Sequence, residues 1–334
     1  MEIVRSYRDI PHAARGAAVA LGNFDGVHLG HRSVIADAVA TAGRLGAPSA
    51  VMTFEPHPRR FFQPGTPPFE LTPGANKARH IAALGVDFLF LIPFDADFAT
   101  IPAELFVSDM LAGSFDVRHV VAGYNFVFGK GRSGNFDLLE KLGAENGFGV
   151  SVVAAVGAAD GTAYSSTHIR DRLREGRVRD AAALLGRPWE IEGEVMSGNQ
   201  RGRQIGFPTA NVNPGNYLMP LLGVYAVWVG IVEGERTDWR PAVANVGRRP
   251  TFDGEGVTVE ANIFDFDEDI YGHNLRVAFA DFVRPEMKFD GIDTIRAQIA
   301  TDCDSARAAL AAIAPGNPCA PQADDTAIVG SLAD

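Results

Sequence analysis

Along the first half of the chain, short apolar runs alternate with stretches in which apolar residues recur every three to four positions. Ala17 to Leu21, Ala50 to Phe54, Phe88 to Pro93, His119 to Ala122 and Val150 to Val156 have the texture of strands. Between them, Ser33 to Arg44 places Val34, Ile35, Ala38, Val39 and Ala42 at helical spacing, and Asn76 to Leu84 and Ala103 to Met110 also read as helices. Strand and helix alternating at this interval predict a parallel, doubly wound α/β sheet. Past about Arg187 the texture changes. Val224 to Ile231, Ala242 to Val246, Val257 to Phe264 and Leu275 to Val283 are β-branched or aromatic runs separated by Gly, Pro and Asp, which predicts an antiparallel sheet or small barrel. A short helix ends at Gly186 with Pro188 after it, so the boundary is expected near Leu185 to Trp189, giving domains over 1–186 and 187–314. A last helix is expected from about Ile292 to Ile313, because Ile292, Ile295, Ile299, Leu310 and Ile313 fall broadly on one face. The tail 315–334, rich in Pro, Ala and Asp, is expected to be disordered, and no repeat points to a solenoid.

Length and composition narrow the picture. At 334 residues about two domains are expected, and 46% hydrophobic with 21% charged residues excludes a collagen-like, disulfide-stapled or wholly disordered chain. Thirty Lys plus Arg against 41 Asp plus Glu leave a net charge of −11. Such a surface repels polyanions, so neither nucleic acid nor an anionic membrane is an expected partner. Any phosphate must be held by a local device, such as a helix N-terminus, a few arginines or a metal ion. Cys303 and Cys319 form no Cys-x-x-Cys pattern, which fits a reducing compartment. Met1 to Gly22 carries Glu2, Arg5, Arg8, Asp9 and Arg15 and does not read as a secretory signal. Leu218 to Val232 is apolar but too short to cross a bilayer, so a cytoplasmic location is expected.

The first concentration of chemistry is Gly22-Asn23-Phe24-Asp25-Gly26-Val27-His28-Leu29-Gly30-His31, between the first apolar strand and the first helix. A glycine-spaced turn at that place is where an α/β sheet holds a phosphate, because free backbone N–H groups and the helix dipole both face it. Two imidazoles three residues apart can donate to phosphate oxygens and to charge that develops in phosphoryl or nucleotidyl transfer. The same spacing also suits surface histidines or two ligands of a zinc site, whose third ligand would have to be Glu55 or His57. Ser165-Ser166-Thr167-His168-Ile169-Arg170 opens a later helix. Its hydroxyls suit a cap, and Arg170, one turn in, has the fork to hold outer phosphates.

The second concentration runs from Gly198 to Val212, with Gly202, Gly206, Phe207, Pro208, Thr209 and Asn211. A glycine-rich loop lets amides approach phosphates, and Thr209 and Asn211, two apart on an extended segment, lie on one side and suit a hard cation such as Mg2+ with ATP. A glycine-rich hairpin would explain the glycines but not the alternating Thr and Asn, and no G-x-x-x-x-G-K-[ST] sequence makes this a P-loop. Further on, Val259, Ala261 and Ile263 share one strand face, Glu260, Asn262 and Phe264 the other. Glu260 is then either a general base in the mouth of a small barrel or an ordinary strand-face carboxylate.

The H-x-G-H of Gly22 to His31 and the S/T-x-x-R of Ser165 to Arg170 resemble those of nucleotidyltransferases. Thr53-Phe54-Glu55-Pro56-His57-Pro58 and the block from Gly123 to Gly134 are similar to the adenylyltransferase half of the prokaryotic bifunctional riboflavin kinase/FAD synthetase family. Gly206 to Asn211 resembles that family's G-F-P-T-A-N signature, and Val259 to Asp265 with Asp269 to His273 its V-E-x-x-x-x-D … D-x-Y-G-x segment. The resemblance runs in order from about Leu21 to Ile313. It implies a Rossmann-like nucleotidyltransferase domain followed by an antiparallel β-barrel kinase domain with a C-terminal helix. It also implies that riboflavin is phosphorylated with ATP to FMN, and FMN adenylylated with ATP to FAD and pyrophosphate. On that reading His28, His31, Ser166 and Arg170 stabilise the transition state and leaving group of adenylyl transfer. Gly22, Asn23, Phe24 and Asp25 line the nucleotide, and Asn125 lies near ATP and the flavin phosphate. Thr209 and Asn211 ligate Mg2+ and ATP, and Glu260 takes the proton from the riboflavin 5′-hydroxyl. Phe54, Phe62, Phe126 and Phe128 are placed to flank an isoalloxazine, although phenylalanine at a strand end is more often core. Asn262 departs from the family, which often has His there, and Ala244 to Phe252 matches a block that is structural or flavin-proximal. The alternatives are a chain with only one working activity, the other domain binding flavin, and a non-catalytic flavin-binding protein. A homo-oligomer is compatible with the sequence, which shows no interface.

Overall fold

The computed structural model describes residues 1–157, 161, 163–196, 206–234, 236–251, 254–314, 317, 319 and 320. Gly202, the loop before Gly206 and nearly all of the tail after Ala314 lie outside the described residues. The chain divides into two compact units, Met1–Pro67 with Gly74–Tyr164, and Pro68–Pro73 with the chain from Ser165.

The first unit is built on a six-stranded sheet in the order β1-β4-β3-β2-β5-β6. Its strands are β1 (Glu2–Val4), β2 (Ala18–Leu21), β3 (Ser49–Glu55), β4 (Phe88–Pro93), β5 (His119–Gly123) and β6 (Gly149–Val153). Every pairing is parallel. Successive side chains leave a strand on opposite faces. Val19, Leu21, Ala50, Met52 and Phe54 accordingly enter one core, while Ala20, Val51, Leu89, Leu91 and Val121 enter another. Two cores on two faces are the doubly wound arrangement expected from the alternating pattern. Helix α1 (Leu29–Leu45) buries Val34, Ile35, Ala38, Thr41 and Ala42 and stops at Gly46, whose φ of 58° is the left-handed cap that glycine tolerates. Four shorter helices follow: α2 (Pro58–Phe62), α3 (Gly74–Ala82), α4 (Ala96–Ala99) and α5 (Ala103–Leu105). The regular helix expected over Ala103 to Met110 instead passes into a π-helical stretch at Phe106–Ser114, a winding that buries Phe106, Val107, Met110 and Leu111. Helix α6 (Phe136–Glu145), capped by the Asn135 side chain, precedes β6.

The second unit opens with α7 (Ser166–Arg174) and α8 (Val178–Leu185) and continues into a closed barrel, β10-β11-β8-β7-β12-β9. Its strands are β7 (Trp189–Met196), β8 (Ala210–Val212), β9 (Gly223–Glu233), β10 (Arg236–Thr251), β11 (Gly254–Ile263) and β12 (Asn274–Pro285), and a last helix, α9 (Ile292–Ala311), follows. Strands β7 and β8 have no counterpart in the sequence reading. Both are needed to close the barrel and leave it without a free edge. The segment Pro68–Pro73 belongs here through hydrogen bonds from Trp189 Nε1 to the Leu71 carbonyl (3.0 Å) and from the Leu218 amide to the Glu70 carbonyl (2.8 Å). On one face of the barrel Val224, Ala226, Val243, Phe264 and Ala280 pack with Ala306 and Leu310 of α9.

Candidate active sites

In the first unit the histidine motif lies at the carboxyl end of β2, where open parallel sheets bind ligands. The turn before it is sharply wound, with Phe24 at φ 48°, Gly26 at 92° and Val27 at 40°. Thr53 Oγ1 donates to the Asn23 carbonyl (3.0 Å), fastening the turn to β3. His28 is the N-cap of α1, and its Nδ1 accepts from the His31 amide (3.2 Å). With Nδ1 an acceptor, the proton of a neutral His28 sits on Nε2, a donor for an anion. The two imidazoles stack at 3.5 Å between centroids, and the Phe24 ring meets His31 edge-on at 5.3 Å. Gly30 makes the stack possible, since a Cβ there would lie 3.2 Å from the His28 ring and 3.2 Å from Tyr164 Cβ. Burial lowers the pKa of the neighbouring Arg32 guanidinium.

The other residues expected at this site are placed unevenly. Phe24 is only 2% exposed and packs among Val27, Val34 and Ile35, so its ring is part of the core on which His31 rests. Phe54 and Phe128 are core as well, whereas Phe62 is 62% exposed. Asp25 is buried, Gly22 packs against the Phe24 ring, and Asn125 is exposed just beyond β5. His57 is the N-cap of α2, accepting from the Arg59 amide, and Glu55 pairs with buried Lys77 at 3.9 Å. Among the described residues no group of three His, Cys, Asp or Glu is placed to hold a metal, so the zinc reading of His28 and His31 gains no third ligand. In the second unit Ser165 caps α7 by accepting from the His168 amide (3.1 Å), with Ser166 the first helical residue. Arg170 Nε donates to the Phe69 carbonyl (2.9 Å), and its guanidinium lies over the Phe69 ring.

Among the described residues two cavities stand out on the barrel. The larger, about 670 Å³, has an apolar end made by Met287, Phe289, Ile292, Ile295 and Ile299, and a polar end with Thr209, Asn245, Glu260 and Asn262. The smaller, about 360 Å³, is lined by Pro208, Thr209 and Asn211 and by Asp267, Glu268, Asp269 and Tyr271. Thr209 lines both. Strand register explains the polar row: Glu260 on β11 stands opposite Asn211 on β8 and Asn245 on β10, so the three side chains share one face. That face is not the barrel interior. Val259, Ala261 and Ile263 are the buried side of β11, while Glu260 and Asn262 stand half-buried on the side that α9 covers. Of the two placements that periodicity left open, the structure has the strand-face one: Glu260 stands on the side turned to the C-terminal helix, not in the barrel mouth. Two residues that no sequence motif singled out line this cavity: Arg284 Nε and Nη2 make a bidentate bond to Asp302 (2.8 and 2.7 Å), which Gln298 Nε2 joins at 2.9 Å. Only an arginine on the strand that follows Glu260's in the chain and an acid in the middle of α9 could have hinted at it.

A histidine pair at the carboxyl edge of a parallel sheet and, in the other unit, two cavities that share Thr209 in their lining define the class: a two-domain transferase with two sites. The FAD synthetase family model matches residues 10–168 and the riboflavin kinase model residues 185–310. A bifunctional riboflavin kinase/FMN adenylyltransferase of Escherichia coli (strain K12) is 38% identical over 308 residues, 92% of this chain and 97% of the relative. The protein of the same description from Listeria monocytogenes is 40% identical over 88% of this chain and 92% of its own. A crystal structure described as a macrolide-efflux protein from Streptococcus pneumoniae shares the fold with TM-score 0.80 and 34% identity, covering 91% of this chain and 98% of its own. The chain belongs to the bifunctional riboflavin kinase/FMN adenylyltransferase family. Among the described residues no helix is long and apolar enough to cross a membrane.

Proposed function

We propose that the chain phosphorylates riboflavin with ATP to FMN and then adenylylates FMN with a second ATP to FAD and pyrophosphate. The observation that carries the kinase half is Thr209, whose side chain lines both barrel cavities. A tricyclic, largely apolar ring suits the larger cavity, with its sugar-like tail toward Glu260; a nucleotide suits the smaller, polar one. Phosphoryl then passes across the wall that Thr209 forms. Glu260 accepts the proton of the flavin 5′-hydroxyl as that oxygen attacks the γ-phosphorus, and ADP leaves. Thr209 and Asn211 offer neutral oxygens in a cavity that Asp267, Glu268 and Asp269 also line, which suits a divalent cation that keeps phosphate and water ligands, Mg2+ being the natural choice. When bound, that ion neutralises charge on the phosphates.

In the first unit the FMN phosphate is already an anion, so its attack on the α-phosphorus needs no strong base. His28 Nε2 and His31 supply hydrogen bonds to the charge that builds there, and the α1 N-terminus adds its dipole. Asn125 belongs to the proposed adenylyl-transfer set, and the exposed Phe62 ring is available to the flavin. The test is a time course of riboflavin with MgATP and purified protein, separated into riboflavin, FMN and FAD. FMN rising first and FAD after a lag is the expected result. Riboflavin left untouched while supplied FMN becomes FAD would leave a single adenylyltransferase, and accumulation stopping at FMN a single kinase.

A further inference from the structure

Resting on the kinase reading above, we propose that Asn262 is a positioning residue for Thr209, fixing through one hydrogen bond the hydroxyl that the two barrel cavities share. The ladder between β8 and β11 runs Val212 with Val259, Asn211 with Glu260 and Ala210 with Ala261, and stops there. The next pair would be Thr209 with Asn262, but residues 207–209 are no longer strand. Pro208 has no N–H to continue the ladder and presents only its carbonyl. That carbonyl accepts from Asn262 Nδ2 at 2.6 Å. A side chain thus fastens the segment just where backbone pairing ends, one residue before Thr209. Asn262 lies two positions after Glu260 on the same strand face, so a single strand carries both the proposed base and the tie that holds the opposing hydroxyl.

The full chain with Asn262→Asp and Asn262→His tests this. A carboxylate cannot donate and is repelled by the carbonyl, whereas histidine keeps a donor. Hydrogen exchange of the peptide over 206–212 in the absence of ligand is the first readout; it should quicken in Asn262→Asp and return toward wild type in Asn262→His. In the riboflavin-to-FMN reaction the KM for MgATP should rise roughly fivefold in Asn262→Asp, the scale of one lost hydrogen bond, with the KM for riboflavin unchanged. Conversion of FMN to FAD by the same samples, unaltered in every variant, shows that the first unit has folded, and a cooperative melting transition by circular dichroism like that of wild type shows that the barrel has. Unchanged exchange over 206–212 in Asn262→Asp would overturn the proposal, as would an equal rise in both KM values, which would place Asn262 against the flavin. Wild-type protein that forms no FMN would overturn the kinase reading instead, while the exchange experiment would still decide whether the tie exists.

Discussion

Gly30 shows how much one missing methyl group can decide. The His28 ring occupies the space a Cβ would need, so Gly30→Ala should push that ring by a few tenths of an ångström while leaving the helix intact. We expect FMN-to-FAD conversion to fall by roughly tenfold or more, because small displacements of a transition-state donor are costly, with riboflavin-to-FMN conversion unchanged in the same assay. His119, on β5, makes a different prediction. Its Nε2 lies 2.7 Å from Ser151 Oγ, and burial holds its pKa below the usual value, with Asp37 pulling it up and Arg44 pushing it down. The unfolded chain then takes up a proton at higher pH than the folded one, so the stability His119 confers is present above about pH 6.5 and is lost as the pH falls toward its lowered folded value. The melting temperature should drop less between pH 7 and pH 5 in His119→Gln than in wild type. At this scale the motifs that hold His28, His31 and Thr209 are legible as runs whose spacing suits phosphate chemistry, whereas Glu260 stands out only through its resemblance to a family segment. The packing of Phe24 is not, because a ring inside a glycine-spaced turn and a ring filling a core are the same letter, and only packing separates them.

Among elements, the pairing of β12 with α9 governs the larger barrel cavity. Asp302 is buried, and both its oxygens are held by Arg284, so Asp302→Ala would strand a guanidinium at the cavity wall. Breaking such a pair costs up to roughly 3 kcal/mol, and the melting temperature should fall by several degrees. Because α9 also brings Ile292, Ile295 and Ile299 to the cavity, the same variant should raise the KM for riboflavin, which steady-state assays would detect. The helix itself was legible from its apolar stripe, yet the stripe has two jobs. Ala306 and Leu310 pack in core, while the isoleucines face open space. Periodicity marks both as apolar and cannot say which face a ligand rather than the protein will fill. Strands β7 and β8 escaped for another reason: β7 reads Trp-Glu-Ile-Glu-Gly-Glu-Val-Met and β8 has three residues, so neither presents an apolar run. The π-helical winding after α5 has no sequence signature at all, because it changes hydrogen-bond partners and leaves the apolar residues where a regular helix would nearly put them.

For the whole molecule, each compact unit has its own buried cluster and its own proposed chemistry. Glu260→Gln should form FAD from FMN but no FMN from riboflavin, and His28→Ala should stop at FMN. An equal mixture of these two variants should then make FAD from riboflavin, because FMN released by one can be used by the other; chromatography of the mixture checks it. The alternation of strand and helix followed by a run of strands made this two-part plan readable. Where the chain crosses between units was less so, since Pro68–Pro73 joins the barrel unit through hydrogen bonds that no local pattern announces.

The three-residue strand β1 has a practical consequence. It pairs with β4, whose Phe88-Leu89-Phe90-Leu91-Ile92 would otherwise stand at the border of the sheet with its amides and carbonyls unpaired. A long apolar border strand is a template for a second molecule, whereas a short one between Glu2 and Arg5 is a poor one. Trimming the first five residues during purification should therefore turn a well-behaved protein into one that self-associates, visible as rising light scattering with concentration, even though nothing removed lies near either proposed site.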